Sequence, residues 1–248
     1  MKKIGILLFV FIFAASISAQ KEQTTKEKEK TTLTAEVSTK EPLELAKKAL
    51  LALGGDKFKN LKNIFMKGTT EISSSPTQTL PAGFVIMYEG EKYSFDIQAP
   101  PVVSFKQVYD GQETYSSMRG LNLPPLNRLG FPLLMKYDEK GYVVSPLPEK
   151  FKKKRGFRIT SPEGYYTDFL TDEKTNLVKE YEASYDFNGG QVTTSVAIDG
   201  YREIAGVMIN EKFTQRLEMG QMSYYSNFKA KEILVDTKLP ENAFTLAK

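Results

Sequence analysis

Histidine and cysteine are both absent from this chain of 248 residues. Histidine is the usual proton-transfer group near neutral pH and the commonest metal ligand, so its absence excludes Ser-His-Asp triads and most zinc sites. The absence of cysteine excludes disulfides, thiol nucleophiles and lipid attachment to an N-terminal cysteine. The chain is nevertheless rich in aromatic residues, with 16 Phe and 13 Tyr. This composition favours a protein that works through apolar surface, and we expect no enzyme activity, no cofactor and no metal.

The N-terminus has the pattern of a secretory signal peptide. A basic start at Lys2 and Lys3 is followed by an apolar run over residues 4–15 and by small residues up to Ala19. This pattern predicts a signal peptide over residues 1–19, cleaved near Ala19, and a soluble, exported protein. The apolar run is shorter than the ~20 residues that span a bilayer. The alternative interpretation is an uncleaved N-terminal anchor.

Residues 20–40 are rich in Lys, Glu and Thr and contain no aromatic residue. Such a segment buries too little apolar surface to offset its ordering entropy, so we predict a disordered linker. A short exposed helix is the alternative. Residues 41–248 then form one folded domain. Loss of Lys2 and Lys3 with the signal lowers the formal net charge from +4 to +2, and so small a charge does not favour nucleic-acid binding.

The sequence predicts that the folded domain is mainly β, within the α+β class. Apolar residues at helical spacing predict one N-terminal helix over residues 42–53, which Gly54 and Gly55 end. About ten strands follow, because apolar and polar residues alternate between closely spaced turn signals such as Asn188-Gly189. An antiparallel sheet of this kind has one covered face and one wet face. In the last strand Met222, Tyr224 and Phe228 form the apolar side.

Residues 121–151 interrupt this strand rhythm and hold five of the twelve prolines. Proline is excluded from central strands, and Pro132 suits the start of a short apolar helix. Because a long irregular insert is usually functional and this one is too apolar to be disordered, we predict a helical, proline-rich lid over the open face of the sheet. The predicted lid residues are Phe131, Leu133, Leu134, Met135 and Val143.

The lid and the aromatic sheet face are predicted to enclose an apolar cavity. Bulky Phe and Tyr side chains leave space on a curved sheet that few helices cover, and Tyr joins an apolar body to a polar tip. The alternative is an ordinary filled core. The residues predicted to line the cavity are Tyr93, Phe95, Ile97, Val103, Phe105, Tyr181, Val196, Ile209, Phe213 and Tyr224.

Two charged clusters carry weaker functional interpretations. The basic run at residues 150–155 could attract anionic lipid head groups, but a solvated turn is the favoured interpretation. Asp172-Glu173 could serve sugar hydrolysis by a carboxylate pair, but it lies in a turn-forming DEKTN sequence where Asp has local backbone uses.

Several segments together resemble the LolA/LolB-like superfamily of periplasmic lipoprotein-sorting and lipid-carrier proteins. The segments are ALGG at 52–55, KNIFMKGT at 62–69, EGEKYSFDI at 89–97, YDGQETY at 109–115, DFLTDEKTNLVKEYE at 168–182 and LPENAFTL at 239–246. The resemblance covers residues 41–248.

The resemblance implies a curved antiparallel half-barrel sheet over an apolar cavity, with helices as plug or lid. It also implies a periplasmic carrier that shields acyl chains of lipids or lipoproteins without covalent chemistry. We expect a monomer that meets protein partners at the inner and outer membranes. Arg119 and Arg128 are the nearest candidates for the lid arginine of the family. The alternatives are a periplasmic sensor or scaffold that binds a protein partner and, less favoured, a carboxylate-based hydrolase.

Overall fold

A computed structural model describes residues 39–75, 78–101, 103–118, 126–187 and 190–246. The predicted signal peptide, the predicted linker up to residue 38, Arg119 and the Asn188-Gly189 turn lie outside these ranges. None of the helices found in the described ranges is both long enough and apolar enough to span a membrane.

Three α-helices and two 3₁₀ turns accompany the strands in the described residues. The helices are α1 (Lys40–Leu53), α2 (Asp56–Lys59) and α3 (Phe131–Met135), and the 3₁₀ turns are Leu126–Arg128 and Glu149–Phe151. Helix α1 begins two residues before the predicted start. Its buried face carries Ala46, Ala49, Leu50 and Leu53, because these residues recur at helical spacing.

Helix α1 ends at Gly54, as the sequence predicts. Gly54 has φ of 124°, in the range that favours glycine, and its N–H bonds to the carbonyl of Leu51. A Cβ at this position would lie 2.8 Å from the carbonyl oxygen of Gly206. Glycine therefore satisfies both the backbone angle and the close approach of α1 to the sheet.

The described strands form a single antiparallel sheet of twelve. Their order in space is β5-β4-β3-β2-β1-β12-β11-β10-β9-β8-β7-β6. The strands are β1 (Asn63–Ser75), β2 (Gln78–Glu89), β3 (Lys92–Ala99), β4 (Val103–Tyr109), β5 (Thr114–Ser116), β6 (Val143–Ser145), β7 (Gly156–Thr160), β8 (Tyr166–Thr171), β9 (Val178–Phe187), β10 (Gly190–Ile204), β11 (Val207–Met219) and β12 (Met222–Val235).

The first and last strands pair at the centre of this sheet. Strand β1 pairs with β12 from Ile64 opposite Val235 onward, and the register shifts between Lys67 and Gly68. At this shift the two backbones approach closely, because a Cβ on Gly68 would lie 2.1 Å from the carbonyl oxygen of Lys229. The bulge therefore requires glycine.

The two faces of the sheet are covered by different segments. The inner face meets α1, which packs against β6, β7 and β11. The outer face of β4 meets the C-terminal segment, where the Nζ of Lys106 donates to the carbonyl of Thr245 over 2.8 Å. In the same region the ammonium of Lys92 lies over the ring of Phe244.

The observed fold corrects two sequence predictions. The described sheet has twelve strands where about ten were expected, and β5 and β6 at its two edges have three residues each. In the described residues 126–151 no proline-rich helical lid is present: the segment forms a 3₁₀ turn, the five-residue α3, strand β6 and a second 3₁₀ turn. The end of the expected lid joins the sheet because Val143–Ser145 pairs with β7.

Candidate functional site

A cavity of about 370 Å³ lies on the inner face of the sheet, bounded by α2, α3 and the first 3₁₀ turn. Its volume is within the range of small-molecule sites. The apolar side chains that line it come from seven strands and from the helical segments: Phe58, Leu61, Ile64, Met66, Ile86, Tyr88, Phe95, Leu126, Leu129, Phe131, Pro132, Met135, Tyr181, Val196, Ile209, Phe213 and Phe228.

A second cavity of about 180 Å³ adjoins the first. Five residues line both cavities and so form the wall between them: Phe95, Leu126, Thr194, Gln215 and Phe228. The two polar members of this wall bond to each other, since Nε2 of Gln215 donates to Oγ1 of Thr194 over 3.0 Å. The interior is therefore not the filled core of the alternative interpretation.

Phe228 is the aromatic centre of this wall. Its side chain is 3% exposed, and its ring lies 4.7 Å from Phe213, 5.1 Å from Phe84 and 6.4 Å from Phe95, centre to centre. These contacts fix the ring between the two cavities, so Phe228 limits the space that either cavity offers.

The sheet must curve for these residues to share one cavity. Tyr88 on β2 and Tyr181 on β9 both line the first cavity. Five strand-to-strand steps separate β2 from β9, which would be roughly 24 Å in a flat sheet. Helix α3 lies between α2 and β9 on this face, because the ring of Phe131 lies 5.9 Å from Phe58 and 5.8 Å from Tyr181.

Tyrosines bring hydroxyl groups into this apolar interior. Burial raises the pKa of Tyr88 and of Tyr181 well above the ordinary range, and for Tyr88 the neighbouring Tyr181 and Tyr93 hydroxyls add to the rise. Burial likewise raises the pKa of Tyr201, whose hydroxyl donates to the carbonyl of Val178 over 2.5 Å. These phenols stay neutral at physiological pH and add no charge to the interior.

Polar and charged side chains gather at one end of the first cavity. They are Lys59, Asn60, Lys62, Asn63, Glu91, Asn127, Lys136 and Glu139. Two lysines are ion-paired, Lys59 with Asp138 and Lys136 with Glu91. The cavity therefore joins a long apolar wall to a polar end whose charges are largely balanced.

The structure brings most of the residues predicted to line a cavity to the cavity walls. The first cavity is lined by five of the predicted residues: Phe95, Tyr181, Val196, Ile209 and Phe213. The second is lined by Ile97, Phe105 and Tyr224, together with Phe95.

Two members of the predicted set are not placed at the cavities. Tyr93 points to the inner face but is fully buried, and its hydroxyl accepts a hydrogen bond from Nε2 of Gln107 over 2.6 Å. It is therefore part of the packed core and does not line a cavity. The side chain of Val103 lies outside the described residues.

The predicted lid residues divide between the cavity and the core. Phe131 and Met135 line the first cavity, with Pro132 between them. Leu133 and Leu134 are fully buried in the apolar core, because α3 turns this side toward the sheet. Val143 belongs to the edge strand β6 and does not line either cavity.

Sequence reasoning missed several lining residues. Ile64 and Met66 on β1, and Ile86 and Tyr88 on β2, alternate with outward residues, so the two-residue period could have found them. No sequence pattern identifies Asn127 as a lining residue, because a polar residue in an irregular segment is normally predicted to be exposed.

The basic run at residues 150–155 is paired with acidic side chains of the protein itself. Lys150 pairs with Glu182, and Lys154 pairs with Glu180 at 3.4 Å. Arg155 donates to side-chain and backbone oxygens of the neighbouring turn. This arrangement agrees with the interpretation of a structural turn.

The two other charged candidates also have local partners. Oδ1 of Asp172 accepts hydrogen bonds from the backbone N–H groups of Lys174 and Thr175, which lowers the pKa of Asp172. The guanidinium of Arg128 lies 5.5 Å from the ring centre of Tyr165. Within the described ranges no three His, Cys, Asp or Glu residues are grouped so that they could hold a metal ion.

Comparison with known proteins identifies the fold. No family model matches the sequence, and no curated protein matches it. A LolA superfamily protein from Nitrosomonas europaea superposes with a TM-score of 0.51 at 10% sequence identity, over 83% of this chain and 97% of that one. A domain of an outer membrane lipoprotein-sorting protein from Vibrio parahaemolyticus superposes with a TM-score of 0.48 at 13% identity, over 82% and 95% of the two chains. The similarity to the first of these confirms the predicted resemblance at the level of the fold.

Proposed function

We propose that this protein is a periplasmic carrier that binds acyl chains of lipids or lipoproteins in its cavity and shields them from water, without catalysing a reaction. The observation that carries the proposal is the cavity of about 370 Å³, with its apolar wall and its charged, polar end, on a sheet of the LolA superfamily fold. An amphiphile has the same two-part chemistry as this cavity.

Apolar transfer supplies enough free energy for such binding. Each buried methylene contributes about 0.8 kcal/mol, so ten methylenes contribute roughly 8 kcal/mol before the costs of association. The net affinity is therefore weaker than the dissociation constant of about 1 μM that this gross gain alone would give.

The polar end is the side from which a bound molecule would meet other proteins. A head group held there lies beside Lys62, which is exposed and takes part in no described ion pair. We expect donor and acceptor proteins at the inner and outer membranes to approach this end, and we expect the carrier to act as a monomer without nucleic acid.

Uptake of a fluorescent fatty acid tests the proposal. Val196→Phe should lower the affinity at least about tenfold, because the added ring occupies the cavity that Val196 lines. Ala197→Phe is the matched control, since Ala197 is exposed on the opposite face of the same strand. Both variants should keep a melting temperature close to that of the parent protein.

Native mass spectrometry of the protein purified from an envelope fraction provides the second readout. Bound masses of phospholipid or acylated peptide are the expected result. A protein that is consistently empty and takes up no fatty acid contradicts the proposal, as does equal uptake by the Val196 variant and the parent.

A further inference from the structure

One buried acceptor at the polar end of the cavity has no partner among the described residues. Asn127 lines the first cavity and is only 5% exposed. Its Nδ2 donates to Oε2 of Glu91 over 3.2 Å, whereas its Oδ1 makes no hydrogen bond within the described part of the chain. A buried carbonyl oxygen without a donor destabilises the folded state, so native proteins retain few of them.

Glu91 fixes the orientation of the Asn127 amide. An ionised carboxylate only accepts hydrogen bonds, so the NH₂ group must face Glu91 and the oxygen must point elsewhere. Lys136 pairs with the same carboxylate and holds it in place. Because the amide is planar, Nδ2 and Oδ1 turn together, so this hydrogen bond also sets the direction of Oδ1.

The surroundings select a neutral donor over a charged one. Lys62 takes part in no described ion pair and opposes a cationic head group, while Oδ1 of Asn127 itself opposes an anion. The negative charge of Glu91 is already shared between Lys136 and Asn127. The hydroxyl of Tyr88, which also lines the cavity, adds a neutral group that both donates and accepts.

We propose that Asn127 Oδ1 is a head-group subsite that accepts a hydrogen bond from a neutral O–H or N–H at the end of a bound acyl chain. This inference rests on the proposed function and deepens it, because among bound amphiphiles those with an uncharged donor should be preferred. Asn127, held by Glu91, would distinguish such head groups from those that only accept hydrogen bonds.

Two ligand pairs that differ by one methyl group test the subsite in the parent protein. Dodecanol is compared with dodecyl methyl ether, and N-methyl dodecanamide with N,N-dimethyl dodecanamide, each by displacement of a fluorescent fatty acid. The donor-bearing member should bind about tenfold more tightly, as expected when a buried acceptor gains a partner. The pair that shows the preference identifies the donor as hydroxyl or amide.

Asn127→Leu should remove the preference while leaving the affinity for dodecyl methyl ether within about twofold, since this ligand has no donor for the lost acceptor. Asn227→Leu is the matched control and should keep the preference, because Asn227 is exposed on the outer face of β12 beside Phe228.

The outcomes separate the two proposals. Equal affinities within both pairs in the parent protein overturn the subsite but leave the carrier function intact, and this measurement does not depend on the folding of a variant. A preference that survives in Asn127→Leu also overturns it. If the parent protein binds none of the four ligands and no fatty acid, the carrier function fails, and the subsite fails with it.

Discussion

Replacing Phe228 by alanine should join the two cavities and lengthen the acyl chain that the proposed carrier accepts. The ring separates cavities of about 370 and 180 Å³ and touches Phe213, Phe84 and Phe95. A Phe-to-Ala change in a core costs about 3–5 kcal/mol. Because one side of this ring already faces empty space, we expect the lower end, about 3 kcal/mol.

The loss of stability and the gain in space have separate readouts. In a domain of this size 1 kcal/mol shifts the melting temperature by about 2–4 °C, so the variant should melt about 6–12 °C lower. If the opened cavity admits three more methylenes, long chains should gain about 2.4 kcal/mol, or roughly 50-fold in affinity. In titrations with saturated fatty acids of increasing length, the affinity should rise with chain length and then reach a plateau. This plateau should lie at longer chains in the variant than in the parent protein.

The control is Tyr225→Ala on the outer face of the same strand. Tyr225 is 42% exposed, so its loss should cost less than about 0.5 kcal/mol and leave the chain-length profile unchanged. An unchanged plateau together with an unchanged melting temperature in the Phe228 variant would refute the description of Phe228 as the dividing wall.

Two further predictions concern stability. Gly68→Ala should lower the free energy of unfolding by about 3 kcal/mol in chemical denaturation, because its Cβ would lie 2.1 Å from the Lys229 carbonyl oxygen. Gly83→Ala is the control and should be neutral or slightly stabilising, since its Cβ would meet nothing closer than 3.9 Å. Equal effects of the two substitutions would contradict the close approach at Gly68. Because burial raises the pKa of Tyr201 above the ordinary 10.0, its contribution to stability is complete below about pH 10 and is lost as the pH rises above it. At one pH unit above that value, the Tyr201→Phe variant should have lost about 1.4 kcal/mol less stability than the parent protein. If the melting temperatures of the two proteins fall equally as the pH rises, the buried phenol is not the cause.

The sequence allowed the cavity face to be predicted because an antiparallel sheet with one covered face repeats every two residues. Tyr93, Phe95 and Ile97 alternate with polar residues, and all three point inward as expected. The pattern could not reveal which inward residues face empty space. That distinction depends on how α3 docks, which sends Leu133 to the core and leaves Met135 at the cavity.

The short edge strands escaped prediction for a related reason. Strand β6 has three residues, too few for a period, and it lies within the proline-rich segment. Only its pairing with β7 makes it a strand. The role proposed for Asn127 was equally hidden, because it depends on Glu91, which is 36 residues away in the chain.

The central pairing of β1 with β12 has a consequence for the order of events during folding. Ile64 meets Val235 only after almost the whole domain is available, and contacts between residues so far apart in the sequence are slow to form. A chain that emerges from its N-terminus therefore presents β1 long before the partner of β1 arrives. Until β12 emerges, the two halves of the sheet cannot pair with each other, and the cavity between them cannot form.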